Sequence, residues 1–573
     1  MLKELNQIFD KSDRKKIGIS IIFSLVVSVT EVFGITMLFP FMGVVGDSKS
    51  IQKNKYLKYI YENIADENYK RFIMYFGLGI IGVFMFKNII SLAYNYYSVL
   101  MVRNLNRKYS NKLFKTYLDF EYINYVNKNR AEFIRVITQE CGMLVGIFQN
   151  IANLVSETCI MILLYITMLY VNWRLTLSMT LFLGLNIIII KYVVIKSAKK
   201  LGKIREGRSR AFYKLVSSVF SNYKFVKLQG DHESIQKNYD DALEKNDEIA
   251  IKQAVLTPLP KSMLEFAGFF MIVIIVLFSI MKYGEEGMSE ILPIVSLFFL
   301  SLYRMLPSII RIVGIFQGFA FTAPVPGRIK EELTYKLENL GDEKLDFNSE
   351  IEVKNLKFQY KEGTLILNNV SLKVNKGDSV AFIGESGSGK TTLVDILMGL
   401  YKPLSGDVVI DGVRLTNNNL KSWRERVGYI PQEIYLFDGT VGENVAFGAE
   451  YNKERVIEVL KKAKIWNFLN EKDGVETKVG DAGVMLSGGQ KQRIGIARAL
   501  YKDPEILVLD EATSALDDNT EREIMDEMYN LSSGKTLIMI AHRLSSLKRC
   551  NKIYELEKGV LKKEYSNIKE VKR

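Results

Sequence analysis

The sequence predicts an α-helical membrane domain of six spans fused to an α/β domain built around a phosphate-binding loop. Three observations carry this prediction. Long apolar stretches dominate roughly the first 320 residues of the 573. From Ile351 the pattern changes to short β-prone runs alternating with helices. Two glycine-rich motifs then follow about a hundred residues apart, Gly384-Glu385-Ser386-Gly387-Ser388-Gly389-Lys390-Thr391 and Leu486-Ser487-Gly488-Gly489-Gln490.

Six stretches are long enough to cross a bilayer, which takes about 20 mostly apolar residues each. They are 17–45, 72–101, 144–171, 175–195, 263–281 and 291–316. Helices satisfy their own backbone in lipid, so all six are expected to be α-helical. The third and fourth are joined almost directly through Asn172-Trp173-Arg174. The second and third, and the fourth and fifth, are separated by long connections rich in Lys and Arg, such as Arg103, Arg107, Lys108 and Lys112, then Lys196, Lys199, Lys200 and Lys203. Positive charge stays on the cytoplasmic side, so these connections and the basic N-terminus are expected inside. Both connections also read as helices that extend the spans. The first apolar run has no small-residue cleavage site behind it and reads as an uncleaved span. The segment 51–61 after it is basic and amphipathic; it fits an interfacial helix or a solvated loop.

The chain has 48% apolar and 25% charged residues and a formal net charge of +13. The positive-inside distribution accounts for that charge without nucleic acid as a partner. The three cysteines, Cys141, Cys159 and Cys550, have neither metal spacing nor an even count for a disulfide framework. The expected division is a transmembrane domain over 1–322, a polar linker over 323–349 and a nucleotide-binding domain over 350–573.

The apolar run Val380-Ala381-Phe382-Ile383 precedes the first glycine motif, and a helical pattern from Thr392 follows it. That is the strand–loop–helix context of a phosphate loop. Glycines let backbone N–H groups curl toward phosphate, and the helix N-terminus adds positive charge. Lys390 is placed to reach the β/γ-phosphates, and Thr391, followed by Thr392, to offer a hydroxyl to Mg²⁺. Ile506-Leu507-Val508-Leu509-Asp510-Glu511 reads as a buried strand ending in two carboxylates. Asp510 suits Mg²⁺, and Glu511 suits a general base for water; a strand followed by an acidic N-cap is the plain structural alternative.

Together these motifs resemble the ABC transporter family over the whole chain. The resemblance implies a type IV exporter-like membrane domain, ATP and Mg²⁺ as cofactors, and an ATPase coupled to transport. It assigns Ser487, Gly488, Gly489 and Gln490 to the signature that contacts the γ-phosphate on a partner's Lys390 loop. It makes Gln432 a Mg²⁺-sensing glutamine, Asp517 part of the coupling loop, His542 the γ-phosphate switch and Tyr360 the aromatic that stacks on adenine. With one nucleotide domain and six spans, the chain resembles a half-transporter, expected as a homodimer in the bacterial inner membrane with the ATPase domain in the cytoplasm.

In the sixth span, Tyr303-Arg304-Met305-Leu306-Pro307 is followed by Arg311. Seven residues place Arg304 and Arg311 on one face, two turns apart. A charge in mid-span faces a cavity or a counter-charge. The counter-charges on offer are Glu31, Glu157 and Glu265; the cavity reading gives an anionic substrate, with Lys87 and Lys261 adding charge near the membrane–cytosol boundary. These features resemble, within the family, the flippases that turn lipid-linked oligosaccharides across the inner membrane for protein N-glycosylation. That resemblance implies a polyprenyl-pyrophosphate glycan as substrate, moved from cytoplasm to periplasm. A lipid A-type flippase and a multidrug exporter remain alternatives within transport, and a soluble ATPase of the same superfamily is the alternative outside it.

Overall fold

The structure is a computed structural model that describes residues 2–46, 50–53, 55–63, 65–128, 130–190, 192, 194, 196–230, 232–256, 258–283, 303, 305–319, 322–360, 363–480, 483–510, 518–541 and 543–571. Of the expected site residues, Arg304, Glu511, Asp517 and His542 lie outside that set, as does much of the sixth apolar stretch. The chain forms two compact units. The first is Met1–Lys115 with Arg130–Thr334; the second is Thr116–Asn129 with Tyr335–Arg573.

The first unit is helical. Among its described residues, three helices are long and apolar enough to cross a membrane, Lys11–Val45, Tyr69–Leu118 and Glu132–Tyr170, and Met305–Phe319 is a shorter apolar helix. Helical assignment runs unbroken over Cys141–Ile190. Yet the Tyr165 hydroxyl lies 2.9 Å from the Thr180 hydroxyl. Fifteen residues of straight helix would hold them about 22 Å apart, so the chain doubles back between them, around the expected Asn172-Trp173-Arg174 junction. The basic connection after the fourth stretch is helical over Lys196–Ser221, Tyr223–Gln229 and His232–Leu256. A fifth apolar helix covers Leu259–Tyr283.

Lipid offers no hydrophobic force between helices, so small and polar residues hold them together. Ser24 and Ser28, both fully buried, line the contact between Lys11–Gly46 and Cys141–Ile190. Ser28 Oγ sits 2.7 Å from Ser156 Oγ, and Ser28 also donates to the Ser24 carbonyl at 2.8 Å. The outward side of Tyr69–Leu118 carries Leu78, Ile81, Met85, Ile89, Leu92 and Tyr96, all exposed. Spacings of three and four make one apolar stripe, the surface a bilayer covers.

The amphipathic segment after the first span forms the helices Ser50–Lys53 and Lys55–Asn63. Ile51 and Leu57 turn inward to a cluster with Val44, Ala65 and Phe72, while Tyr56 and Tyr59 point outward. Val325–Thr334, in the stretch expected as a linker, is a helix with Val325, Pro326 and Ile329 buried.

The second unit is α/β. A six-stranded sheet carries β3 (Ser379–Ile383), β6 (Val427–Ile430), β7 (Ile506–Asp510), β8 (Thr536–Ile540), β9 (Lys552–Glu557) and β10 (Val560–Tyr565), in the order β10-β9-β3-β8-β7-β6. Its pairs are parallel except β9 with β10. β7 and β8 are buried almost throughout, as parallel strands covered on both faces must be. A four-stranded antiparallel sheet places β1 (Glu350–Phe358) between β2 (Leu367–Asn375) and β4 (Ser405–Ile410), with β5 (Val413–Arg414) at the edge.

The two sheets share a core in which Trp423 is buried, stands edge-on to Phe347 and donates its indole N–H to the Leu397 carbonyl at 2.8 Å. Trp423→Ala removes the ring and leaves that carbonyl unpaired, at a cost of about 3–5 kcal/mol. Thermal unfolding of the ATPase unit should shift down by many degrees; an unchanged midpoint contradicts this packing.

Candidate functional site: a phosphate loop and paired membrane charges

The parallel sheet brings the phosphate loop, Gln432 and Asp510 to the carboxyl ends of its strands, where α/β folds bind ligands. Phe382 of β3 pairs with Ile540 of β8, and Ile540 pairs with Asp510 of β7. The loop 384–389 leaves β3 at that level and leads into the helix Lys390–Leu397. Gln432 follows β6 at the same end of the sheet. Ala541 N donates to the Phe382 carbonyl at 3.1 Å, so the chain just before His542 is fixed beside β3.

The loop is shaped for an anion. Gly384 has φ +141°, and a Cβ there would lie 2.1 Å from the Leu556 carbonyl oxygen, so only glycine fits. Lys390 is 5% exposed and donates to the carbonyls of Gly384 (2.8 Å) and Glu385 (2.9 Å). These bonds fold the ammonium back over the loop. The Ser388 hydroxyl is buried and finds no hydrogen-bond partner among the described residues, a feature that calls for an acceptor inside the cradle. Among the described residues no group of three or more His, Cys, Asp or Glu could hold a metal ion. A Mg²⁺ here would instead draw on the Thr391 hydroxyl, the Asp510 carboxylate and phosphate oxygens, the pattern hard cations accept beside nucleotides.

Tyr360 lies beside this helix, and its hydroxyl is 2.8 Å from Thr392 Oγ1. Tyr360 as a whole stays 37% exposed, a surface a base can cover. Two side chains near the site were not anticipated from sequence. Tyr429 of β6 donates to Asp510 Oδ2 at 3.2 Å. Asp395, on the phosphate-loop helix, is pushed up to about 7 by burial and then by repulsion from Asp510. A Tyr in the strand before Gln432 and an Asp five residues after Lys390 were the available signals.

The second glycine motif caps a helix. Ser487 Oγ accepts from Gln490 N at 3.3 Å, and Gln490 Oε1 accepts from Ser487 N at 2.8 Å. This reciprocal box fixes the start of Gly488–Leu500, leaving the N–H groups of Gly488 and Gly489 at the positive end of a 13-residue helix. Farther along, Arg498 donates to the carbonyls of Asn444 (2.8 Å) and Tyr435 (3.0 Å), which ties this helix to the chain that follows Gln432.

Of the expected substrate charges, Arg304 lies outside the described residues, and Arg311, Lys87 and Lys261 are each found beside a carboxylate. Arg311 Nη1 lies 2.6 Å from Glu157 Oε1, with the guanidinium side chain 55% exposed and the carboxylate 7% exposed. Glu157 Oε2 is buried without a hydrogen-bond partner among the described residues. Lys87 meets Glu31 at 3.4 Å, both largely buried, and Lys261 meets Glu265 at 3.8 Å on the helix surface.

Comparison with known proteins covers both units. A family profile described as "ABC transporter" matches residues 367–514, and one described as "ABC transporter transmembrane region" matches 17–305. A "Multidrug resistance ABC transporter ATP-binding and permease protein" of Lactococcus lactis is 31% identical over 71% of this chain and 70% of its own length. An "ATP-dependent lipid A-core flippase" of Cupriavidus pinatubonensis is 28% identical over 83% of this chain and 82% of its own. A bacterial Atm1-family ABC exporter solved with ATP bound superposes with a TM-score of 0.77 at 21% identity, covering 98% of this chain and 97% of that one.

An aspartate whose pKa rises on folding stabilises below its unfolded value and loses that contribution as pH climbs through the folded value. For Asp395 the loss accumulates from about pH 4 to about pH 7. In nucleotide-free, Mg²⁺-free protein, Asp395→Asn should raise the unfolding temperature more at pH 8 than at pH 5. An equal gain at both would show that Asp395 is not the titrating group.

Proposed function

Because the chain belongs to the ABC transporter family, as an exporter-type member whose ATP hydrolysis is coupled to transport, we propose that it is a homodimeric flippase for an anionic lipid. The proposed substrate is a polyprenyl-pyrophosphate-linked glycan, carried from the cytoplasmic to the periplasmic side of the inner membrane. The ATPase unit works in the cytoplasm.

The observation that carries the substrate reading is the Arg311 guanidinium. It keeps more than half its side-chain surface outward while its carboxylate partner is buried. A guanidinium held by one carboxylate oxygen still has donors to offer, and its planar fork suits phosphate. Arg304, two turns earlier, adds a second guanidinium, and a homodimer doubles the pair. The helix Lys55–Asn63, with Tyr56 and Tyr59 facing outward, offers two aromatic rings to a long lipid tail.

Hydrolysis follows from the nucleotide residues. The loop N–H groups of Gly384–Thr391 and the Lys390 ammonium hold the β- and γ-phosphates. Tyr360 stacks on adenine. Thr391 and Asp510, with Gln432 nearby, would hold a Mg²⁺, which neutralises charge developing on the phosphates. Glu511 polarises the attacking water, and His542 contacts the γ-phosphate. Ser487–Gln490 of one copy close on the phosphate loop of the other through the N–H groups their capping box exposes, and Asp517 couples the two sites.

A second reading has support of its own. The lipid A-core flippases and multidrug proteins among the relatives point to a different phosphate-bearing lipid or to amphiphilic drugs. Stimulation of ATPase activity by each candidate in liposomes separates the two.

Glu511→Gln should abolish hydrolysis while sparing ATP binding; near-normal turnover would reassign the base. Arg304→Ala with Arg311→Ala should leave basal ATPase within about twofold and remove ATP-dependent delivery of a polyprenyl-pyrophosphate glycan to the opposite leaflet. Unchanged flipping in that double variant rejects the arginines as the substrate contact.

A further inference from the structure

We propose that the cytoplasmic ends of the first two spans form a binding site for the phosphodiester head group of an anionic phospholipid, built from Lys15, Lys16, Arg103 and Arg107. The site takes a lipid that stays on the outer surface of the helices, so it does not depend on which substrate is transported.

The helix Lys11–Gly46 has two opposite faces. Ser24 and Ser28 are buried against Cys141–Ile190. Ile19, Ile22, Val26, Val29 and Phe33 are all exposed, and helical spacing sets them on the other side, toward lipid. One turn nearer the N-terminus, the same stripe reaches Lys15. The lipid-facing stripe of Tyr69–Leu118 ends in the same way. After Leu92 and Tyr96 it runs through Val99 and Leu100, both exposed, to Arg103 and Arg107. These cations are therefore more than cytoplasmic charge: their helices turn them to the bilayer.

Two contacts fix their level. The rings of Phe23 and Tyr94 stand 5.5 Å apart, and Lys108 lies 2.7 Å from Asp13. The two helices run antiparallel, so between these contacts Lys15 and Lys16 come abreast of the turn that carries Arg103. The Tyr97 hydroxyl, 3.5 Å from the Lys16 carbonyl, sits in the seam between them. Tyr75 and Tyr96, both exposed, are about 32 Å apart along the helix, close to the thickness of a bilayer's hydrocarbon core. Tyrosines mark that boundary, so the head-group layer begins just past Tyr96. Helical side chains tilt toward their own N-terminus. With the N-terminus in the cytoplasm, Tyr69–Leu118 runs inward and its arginines lean back toward the bilayer. Lys11–Gly46 runs outward and Lys15 leans away from the hydrocarbon. The two sets converge at head-group depth.

Lys15, Lys16, Arg103 and Arg107 are all exposed, and none has an ion-pair partner among the described residues. The carboxylates on this stretch, Asp10 and Asp13, are both taken by Lys108, at 2.9 and 2.7 Å, and Asp13 also accepts from Tyr109 at 2.7 Å. The local balance stays positive. A phosphodiester offers two charged oxygens, which suit a guanidinium fork, and ammonium groups add point charge beside it. Clusters of Lys and Arg just cytoplasmic of a span draw anionic lipid in this way. The exposed apolar stripes next to the cations receive the acyl chains, which a free phosphate lacks.

The test uses the full chain purified in detergent, titrated separately with phosphatidylglycerol and phosphatidylcholine and read by native mass spectrometry. The first phosphatidylglycerol should bind about tenfold more tightly than the first phosphatidylcholine. That preference should shrink as ammonium acetate is raised, because salt shortens the reach of exposed charges. Arg103→Gln with Arg107→Gln should cut it at least about threefold, and Arg103→Lys with Arg107→Lys should keep most of it. Lys15→Gln with Lys16→Gln, on the other helix, should act like the arginine pair, so the test survives the misfolding of either variant. Lys224→Gln with Lys237→Gln removes the same charge from exposed positions off both stripes and should change nothing. No preference in the wild type overturns the proposal, as does a wild-type preference in either glutamine pair on the stripes. An equal loss in the Lys224 and Lys237 variant would reduce the effect to net charge and also overturns it. So does inorganic phosphate that displaces the lipid better than acetate at equal ionic strength, since the site would then belong to a free anion.

Discussion

The ATP site depends on one constraint, the parallel pairing of β3 with β8 and of β8 with β7. Parallel strands end together, so whatever follows them is delivered to one edge of the sheet. The phosphate loop, the Asp510 carboxylate and the chain before His542 meet for that reason, although 157 residues of sequence separate Gly384 from Ala541. Both β7 and β8 are too apolar to tolerate solvent on either face. A one-residue slip would move Asp510 away from the loop and exchange the side chains that fill the two cores on either face, Ile506 and Val508 for Leu507 and Leu509. Register and chemistry are thus enforced by the same hydrophobic burial.

Electrostatics set a different constraint in the first unit. Its described intramembrane cations sit beside carboxylates from other helices or other turns, Lys87 with Glu31 and Arg311 with Glu157. An unpaired charge in that setting is costly, and pairing lowers the cost. The two pairs are not equivalent. Lys87 and Glu31 are both withdrawn from the surface, whereas Arg311 keeps its guanidinium outward over a buried Glu157. The first arrangement suits packing. The second leaves donors facing out, and this asymmetry is the reason Arg311 is the better candidate for meeting an anionic head group.

Much of the architecture was legible because it rests on local rules. Apolar run length marks spans, and the short junction Asn172-Trp173-Arg174 marks the reversal that the Tyr165–Thr180 contact reports. The glycine spacing from Gly384 to Thr391 marks the loop because those backbone angles admit little else. The Ser487-to-Gln490 interval is itself a capping-box spacing, so the start of that helix is written in four residues. Long-range partners are another matter. Three carboxylates were equally plausible mates for the sixth-span arginines, and no local rule ranks Glu157 above Glu31 or Glu265. Tyr429 and Asp395 carry no motif; their relation to Asp510 exists only once β6, β7 and the phosphate-loop helix are assembled.

The segment Thr116–Asn129 shows the same limit in sharper form. By sequence it is an aromatic-rich stretch inside a basic connection, and Tyr122 would pass as an ordinary aromatic. Its placement becomes informative only because the packing boundary crosses a helix near Lys115 and not a flexible loop. A helix transmits displacement along its axis, since its internal hydrogen bonds resist bending over a few turns. Tyr122 itself lies past the end of that helix, which stops at Leu118, on the separate short helix Tyr122–Val126, so its position is set by the Tyr401 ring and by the backbone ties of Asp119 and Phe120.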